Sequence, residues 1–255
     1  SAAVQATDLV LAYGPAVAVD RSSFTIPAGR VTAVIGPNGS GKSTVLHAIA
    51  GLLAPVAGTL EVAARSNGSR RIAYVVQSTK TSDALPVTVR EVVTMGRYAA
   101  RRRLTGEDRA RVDEALERVG LTALAARHLS DLSGGQRQRV FVAQGLAQDH
   151  DLLLLDEPLT GIDLPTARAI DRVIHDELAR GCTIVLTTHD LSEASVADHV
   201  VLMAGRVVAS GHPDEVLTPE HLAAAYGSAL LHVEEGKVFF DDPAHKVTPA
   251  DSQPG

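Results

Sequence analysis

The sequence is short of several things, and each shortage excludes something. A single cysteine, Cys182, stands among 255 residues, so no internal disulfide framework can form and a reducing compartment is expected. No run approaches the roughly 20 consecutive apolar residues that a membrane-spanning helix needs. Residues 1–13 carry no basic cluster ahead of an apolar stretch, so they do not read as a secretory signal. Basic residues do not predominate: 24 Lys and Arg face 30 Asp and Glu, a formal charge of −6. That balance argues against a chain whose task is neutralising nucleic-acid phosphates, so no nucleic-acid partner is expected. No internal repeat or sustained heptad is present. What remains is an ordinary soluble composition, 45% hydrophobic and 21% charged, long enough to bury a large core.

Strand-like and helix-like patterns alternate. Val31–Ile35 is a short β-branched run, Lys42–Ala50 reads as a helix closed by Gly51, and Arg71–Val76, Asp151–Leu155 and Cys182–Leu186 are further strands. The last two are apolar on both faces, as a helix-covered parallel sheet requires. A helix over Pro165–Arg180, with proline in its first turn and Gly181 past its end, completes a βαβ arrangement. Between Ser78 and Gln148 the strand pattern gives way to helical spacing, with Val112, Ala115, Leu116 and Val119 on one face and Thr105 with Asp108 as a cap. After Ala225 the periodicity fades, and 241–255, rich in Pro, Asp and Ser, reads as a frayed tail.

Gly36-Pro37-Asn38-Gly39-Ser40-Gly41-Lys42-Ser43-Thr44 matches the phosphate-binding loop G-x-x-x-x-G-K-[ST], and it sits between a buried strand and a helix. Its glycines let backbone N–H groups curl around a polyphosphate, and the following helix offers its positive dipole end to the same anion. Lys42 is placed to reach the β- and γ-phosphates, and the Ser43 hydroxyl to ligate Mg²⁺. Asp156 and Glu157 follow the apolar strand Leu152–Leu155, at the sheet end where open α/β proteins bind ligands. Asp156 suits the Mg²⁺ shell opposite Ser43, and Glu157 can act as general base toward an attacking water.

A second glycine-rich helix start, Leu132-Ser133-Gly134-Gly135-Gln136 with a helix from Arg137, provides another anion nest. One phosphate loop needs only one cradle. With this motif the chain resembles the nucleotide-binding subunits of ATP-binding cassette (ABC) transporters, whose signature is L-S-G-G-Q. The resemblance covers about Leu9 to Tyr226, with the motifs in family order. It implies an α/β fold: a P-loop NTPase (RecA-like) core with a mostly parallel sheet, an N-terminal antiparallel β subdomain and an inserted α-helical subdomain. The expected division is an ATP-binding core over 1–77 and 149–225, a helical signature subdomain over 78–148, and a partly frayed extension over 226–255.

The same resemblance assigns further residues. Tyr13 matches the aromatic that stacks on adenine, and Gln77 the Q-loop glutamine that touches Mg²⁺ and the attacking water. Asp163 matches the D-loop residue that communicates across a dimer, a cap of the Pro165 helix being its plainer role. His189 matches the switch histidine at the γ-phosphate. Two cassettes are then expected to face head to tail, each ATP–Mg²⁺ lying between Lys42/Ser43 of one copy and Ser133/Gly135 of the other.

The implied work is ATP hydrolysis coupled to transport. The expected partners are a second cassette, an integral membrane permease and an extracytoplasmic solute-binding protein, with the subunit cytoplasmic and peripheral on the inner face of the membrane. Residues 83–98 resemble the same stretch of zinc and manganese importers, and more loosely those for iron chelates. Leu85, Pro86 and Val87 would help form a groove for a permease helix, although a core helix from Thr88 accounts for the apolar residues equally well. The expected cargo is a transition metal, zinc ahead of manganese. The alternatives are a siderophore or haem importer, an exporter cassette, a non-transport ABC ATPase and a small-molecule kinase. Arg97, Arg101, Arg102 and Arg103 form a basic run, either a solvated face or one near anionic headgroups. His221, His232 and His245 match no zinc-binding spacing.

Overall fold

The computed structural model describes residues 1–63, 71–76, 86–98 and 103–227, and the backbone of 231–234 and 237–240. Gln77, residues 78–85, Arg101, Arg102, His245 and the tail expected over 241–255 lie outside the described residues.

Six strands form the main sheet in the order β5-β6-β7-β3-β8-β9, where β3 is Val31–Ile35, β5 Ile72–Val75, β6 Leu152–Leu155, β7 Thr183–Thr188, β8 His199–Met203 and β9 Val207–Gly211. The first five run parallel and β9 returns antiparallel. β5 is thus shorter than the expected Arg71–Val76. The central strands are buried along their whole length, β6 and β7 at every residue. Alternation sends their side chains to two cores: Leu153, Leu155, Ile184 and Leu186 pack into one, Leu152, Leu154 and Val185 into the other.

A second sheet of β1 (Ala2–Tyr13), β2 (Ala16–Pro27) and β4 (Ala57–Val62), antiparallel in the order β2-β1-β4, supplies the second core together with helix α1 (Lys42–Ile49). Between β5 and β6 the described elements are helical: α2 (Val89–Met95), α3 (Gly106–Arg118) and α4 (Gly134–Ala147). All three start on a full capping box, Thr88 with Glu91, Thr105 with Asp108, and Ser133 with Gln136. α4 therefore begins at Gly134, one turn ahead of the expected Arg137, because Ser133 is itself the capping residue.

Arg97 corrects the reading of the basic run. Its side chain is only 10% exposed and meets Asp108, 1% exposed, at 2.8 Å. Its Nη1 also donates to the Ala147 carbonyl at 2.9 Å. The other Asp108 oxygen caps α3, so this arginine neither faces solvent nor headgroups but fastens α2's end to α3 and α4. Val87 packs against the first core, while Pro86 is exposed.

After β6 come α5 (Leu164–Ala179), α6 (Leu191–Ser195), α7 (Pro213–Val216) and α8 (Pro219–Tyr226). The chain then forms an antiparallel pair, β10 (Leu231–Glu234) with β11 (Lys237–Phe240), where fading periodicity gave no strand expectation.

Parallel register decides where the site lies. Ile35 pairs with Thr188, Leu155 with Leu186 and Val75 with Leu155. The strands therefore end nearly flush, and the segments after β3, β5, β6 and β7 leave along one sheet edge.

Candidate nucleotide site

The loop after β3 is built by backbone conformations that side chains disfavour. Gly39 and Gly41 sit at φ 78° and 97°. A Cβ on Gly41 would meet the Val19 side chain at 2.6 Å, and one on Gly36 the Met203 carbonyl oxygen at 2.1 Å. Met203 and its neighbours brace the loop from behind, where the Gly205 N–H donates to the Ser40 carbonyl at 3.0 Å. Asn38 and Gly39 are exposed at the loop's tip, and Ser40, Lys42 and Thr44 are buried. The buried Ser40 Oγ has no hydrogen-bond partner among the described residues, an orphaned polar atom that a ligand oxygen would satisfy.

Lys42, at the first turn of α1, folds back on the loop. Its Nζ donates to the Gly36 carbonyl at 2.8 Å and the Pro37 carbonyl at 3.2 Å. Burial pulls its ammonium below the usual value, against the opposing field of Glu157 and Asp156. A phosphate oxygen arriving in the loop would exchange these weak carbonyl partners for a charged one.

Asp156, 4% exposed, is the junction of the site. Its Oδ1 accepts from Ser43 Oγ at 3.0 Å and from Thr187 Oγ1 at 2.7 Å, and its Oδ2 accepts from Tyr74 Oη at 3.2 Å. Ser43 and Asp156, expected to share one ion, thus already touch. They are hard oxygen donors of the type Mg²⁺ prefers.

Glu157 follows in the left-handed region at φ 47°. That conformation costs a residue with a Cβ roughly 1–2 kcal/mol. It is held by the Glu157 N–H donating to Thr187 Oγ1 at 2.8 Å. The turn takes Glu157 out of the strand direction and leaves its side chain half-buried beside the lysine loop.

Two residues that the sequence reading passed over complete this junction. Thr187 is fully buried and links Asp156 to the Glu157 backbone. The threonine pair that ends β7 after Ile184, Val185 and Leu186 was the available signal. Tyr74 lies two residues after the strand's start, with its phenol pushed up by burial and by Asp156. Its ring meets His47 edge-on at 5.6 Å, and His47 Nδ1 lies 2.7 Å from the Tyr13 hydroxyl. Tyr13 itself is half exposed at the end of β1, its ring open to a flat partner.

His189 is exposed just after β7. Beneath it Thr188 Oγ1 donates to Glu193 Oε2 at 2.6 Å and accepts the Asp190 N–H at 3.0 Å, fixing the turn.

The signature segment stands apart from this edge. Ser133 Oγ accepts the Gln136 N–H at 3.2 Å, and the Gln136 side chain accepts the Ser133 N–H at 3.0 Å. Among the described residues no hydrogen bond joins Ser133, Gly134 or Gly135 to the phosphate loop. Gly134 faces open space, whereas a Cβ on Gly135 would meet Thr166 Oγ1 at 2.6 Å. Asp163 caps α5 by accepting the Thr166 N–H at 2.8 Å, and that bonding lowers its carboxyl. The D-loop and signature residues are therefore neighbours within one chain, and the plainer capping role of Asp163 is present. Gln77 lies outside the described residues.

The comparisons agree with this architecture. The family model described as "ABC transporter" matches residues 19–160. The Chelated iron transport system membrane protein YfeB of Yersinia pestis is 40% identical over 234 residues, covering 88% of this chain and 79% of that protein. The Zinc transport system ATP-binding protein TroB of Treponema pallidum is 42% identical over 234 residues, covering 89% and 88%. The Manganese transport system ATP-binding protein MntA of Synechocystis is 37% identical over 218 residues, covering 82% and 84%. A solved inward-facing ABC transporter assigned to the metal-chelate type superposes with a TM-score of 0.78 at 28% identity, over 94% of this chain and 96% of that one. The ATP-binding cassette MJ0796, solved as a dimer with ADP and Pi, superposes at 0.71 with 26% identity, over 82% and 98%. No helix among the described residues is long and apolar enough to cross a membrane. The chain belongs to the ABC transporter family and is an ATP-binding cassette ATPase.

Proposed function

We propose that this cassette energises the import of a divalent transition-metal ion, zinc first and manganese second, through a separate membrane permease supplied by an extracytoplasmic binding protein. It works from the cytoplasmic face of the membrane. The cargo reading rests on the relatives' iron-, zinc- and manganese-system names and on the importer-like stretch 83–98. The hydrolytic reading is carried by one observation, the buried Asp156 joined to Ser43 at the sheet edge with Glu157 turned out beside it.

The proposed roles take the family resemblance together with the site geometry. Tyr13 stacks on the adenine. Backbone N–H groups of Gly36, Asn38, Gly39, Ser40, Gly41 and Thr44 line the polyphosphate. Lys42 releases the Gly36 and Pro37 carbonyls and binds the β- and γ-phosphates. Ser43 and Asp156, with Gln77, hold Mg²⁺, which supplies charge neutralisation between the phosphates when bound. Glu157 takes a proton from water as the water oxygen bonds to the γ-phosphorus and the bond to the ADP oxygen breaks; His189 orients that water. Ser133, Gly134, Gly135 and Gln136 of a second copy close on the γ-phosphate, and Asp163 meets its counterpart across the two-fold axis. ATP stabilises this closed pair because both halves grip its γ-phosphate, a contact that hydrolysis removes.

The test is uptake of radiolabelled zinc, manganese or chelated iron into vesicles holding the cognate permease and binding protein. Zinc uptake that needs ATP and stops in Glu157→Gln supports the reading. Uptake of a chelate alone, or none with any metal, overturns the cargo.

A further inference from the structure

At the sheet end opposite the nucleotide edge, three residues from separate segments converge. His150 precedes β6, Glu177 lies in the last turn of α5, and Cys182 precedes β7. One ligand atom from each, an imidazole nitrogen, a carboxylate oxygen and the sulfur, lies within 4.8 Å of both others. The His150 and Glu177 side chains are 5% exposed, and Cys182 is equally buried. We propose that His150, Glu177 and Cys182 form a second metal site, independent of ATP and of transport, that binds a divalent transition ion of the zinc or cobalt type.

The donor set selects the ion. One nitrogen, one carboxylate oxygen and one thiolate suit Zn²⁺ or Co²⁺ and do not suit Mg²⁺ or Ca²⁺. The imidazole is already oriented as a ligand, for Nδ1 lies 2.9 Å from the Gln148 carbonyl oxygen and leaves Nε2 toward Glu177 Oε2 at 2.9 Å. A backbone carbonyl bonded to the nitrogen that faces away from the ion is a usual partner of a metal-bound histidine. The glutamate's oxygens are divided between tasks. Oε1 takes Arg118 at 2.6 Å and Arg180 at 3.4 Å, while Oε2 faces the histidine and is the one an ion would use.

Burial pushes the Cys182 thiol above its usual range, and an ion bound to the sulfur would take it as thiolate. A polar cavity of about 220 Å³, lined by Arg71, Arg111, Asp149 and these three residues, opens onto the cluster and provides an entry path and room for a water as fourth ligand.

The experiment titrates the purified full chain with cobalt(II), then zinc(II), without nucleotide. One equivalent of cobalt should give a thiolate-to-cobalt charge-transfer band that zinc abolishes. Cys182→Ser and His150→Gln, each checked for unchanged ATP affinity, should lose the band and bind zinc at least tenfold more weakly. The chain's ten histidines cannot mimic this, because Cys182 is its single thiol. Absence of the band at stoichiometric cobalt, or wild-type zinc affinity in Cys182→Ser, overturns the site.

Discussion

Two helix starts, each glycine-rich and each matching an anion cradle, solve the same problem differently. At α1 the chain is forced into shape, with positive φ at Gly39 and Gly41 and backbone packed where a Cβ would stand. Among the described residues its lysine donates to carbonyls of its own loop. At α4 the backbone takes ordinary helical conformations. Ser133 and Gln136 satisfy each other in an ordinary capping box, neither Gly134 nor Gly135 has a positive φ, and one glycine looks into open space. The first start is a cavity shaped in advance for a polyphosphate. The second is a finished helix end whose free surface can meet a ligand brought by another molecule. In the proposed head-to-tail pair, each chain would use the two starts for opposite halves of the two sites.

The contrast can be broken hardest at the hydrolytic end. Replacing Glu157 by Gln removes the proposed proton acceptor and keeps the shape, so turnover should fall by about 10²–10⁴. ATP titration should be little changed, and dimers should persist in gel filtration with ATP. Near-normal phosphate release would dismiss Glu157 as the base. Lys42→Ala attacks the first cradle directly. Nucleotide affinity should drop about tenfold to a hundredfold, the scale of losing a charge-assisted bond of about 1.5–3 kcal/mol.

The first cradle was the legible one. Its glycines, lysine and serine are contiguous, and strand and helix periodicities flank them, so the local pattern contained the geometry. Asp156 and Glu157 were legible because an apolar strand points to its own end. What escaped notice depends on register between distant segments. Thr187 reaches Asp156 only because β7 lies beside β6, and Tyr74 only because β5 does. Arg97 looked like one of several surface cations, since nothing local announces that Asp108, already a cap, also turns an oxygen to it. His150, Glu177 and Cys182 were invisible for the same reason, their spacing matching no metal pattern.

Gly135→Ala sharpens the second cradle. The new methyl would press on Thr166 Oγ1 at 2.6 Å, and overpacking of this kind costs about 1–3 kcal/mol. Thermal unfolding should fall by several degrees, since about 2–4 °C accompanies each kcal/mol in a chain of this size. The companion change Gly134→Ala meets nothing. It should leave the midpoint within about 2 °C, a surface-substitution effect of about 0.5 kcal/mol, while slowing ATP turnover where the second copy must close. Equal destabilisation by both would remove the distinction between the two glycines.

The smallest effect is the most diagnostic of how the two starts differ. Ser133→Ala deletes the acceptor for the Gln136 N–H, a loss of about 1 kcal/mol for a capping residue. Ser133→Thr restores an oxygen to the same position, and threonine caps nearly as well. Stability should therefore recover in the threonine variant. Turnover should not recover with it, because the extra methyl adds bulk to an exposed residue on which the proposed closure with a second copy depends. A threonine variant that regains both would make the serine a cap and nothing more. One that regains stability alone separates the hydroxyl's work within its own helix from its work for the other molecule.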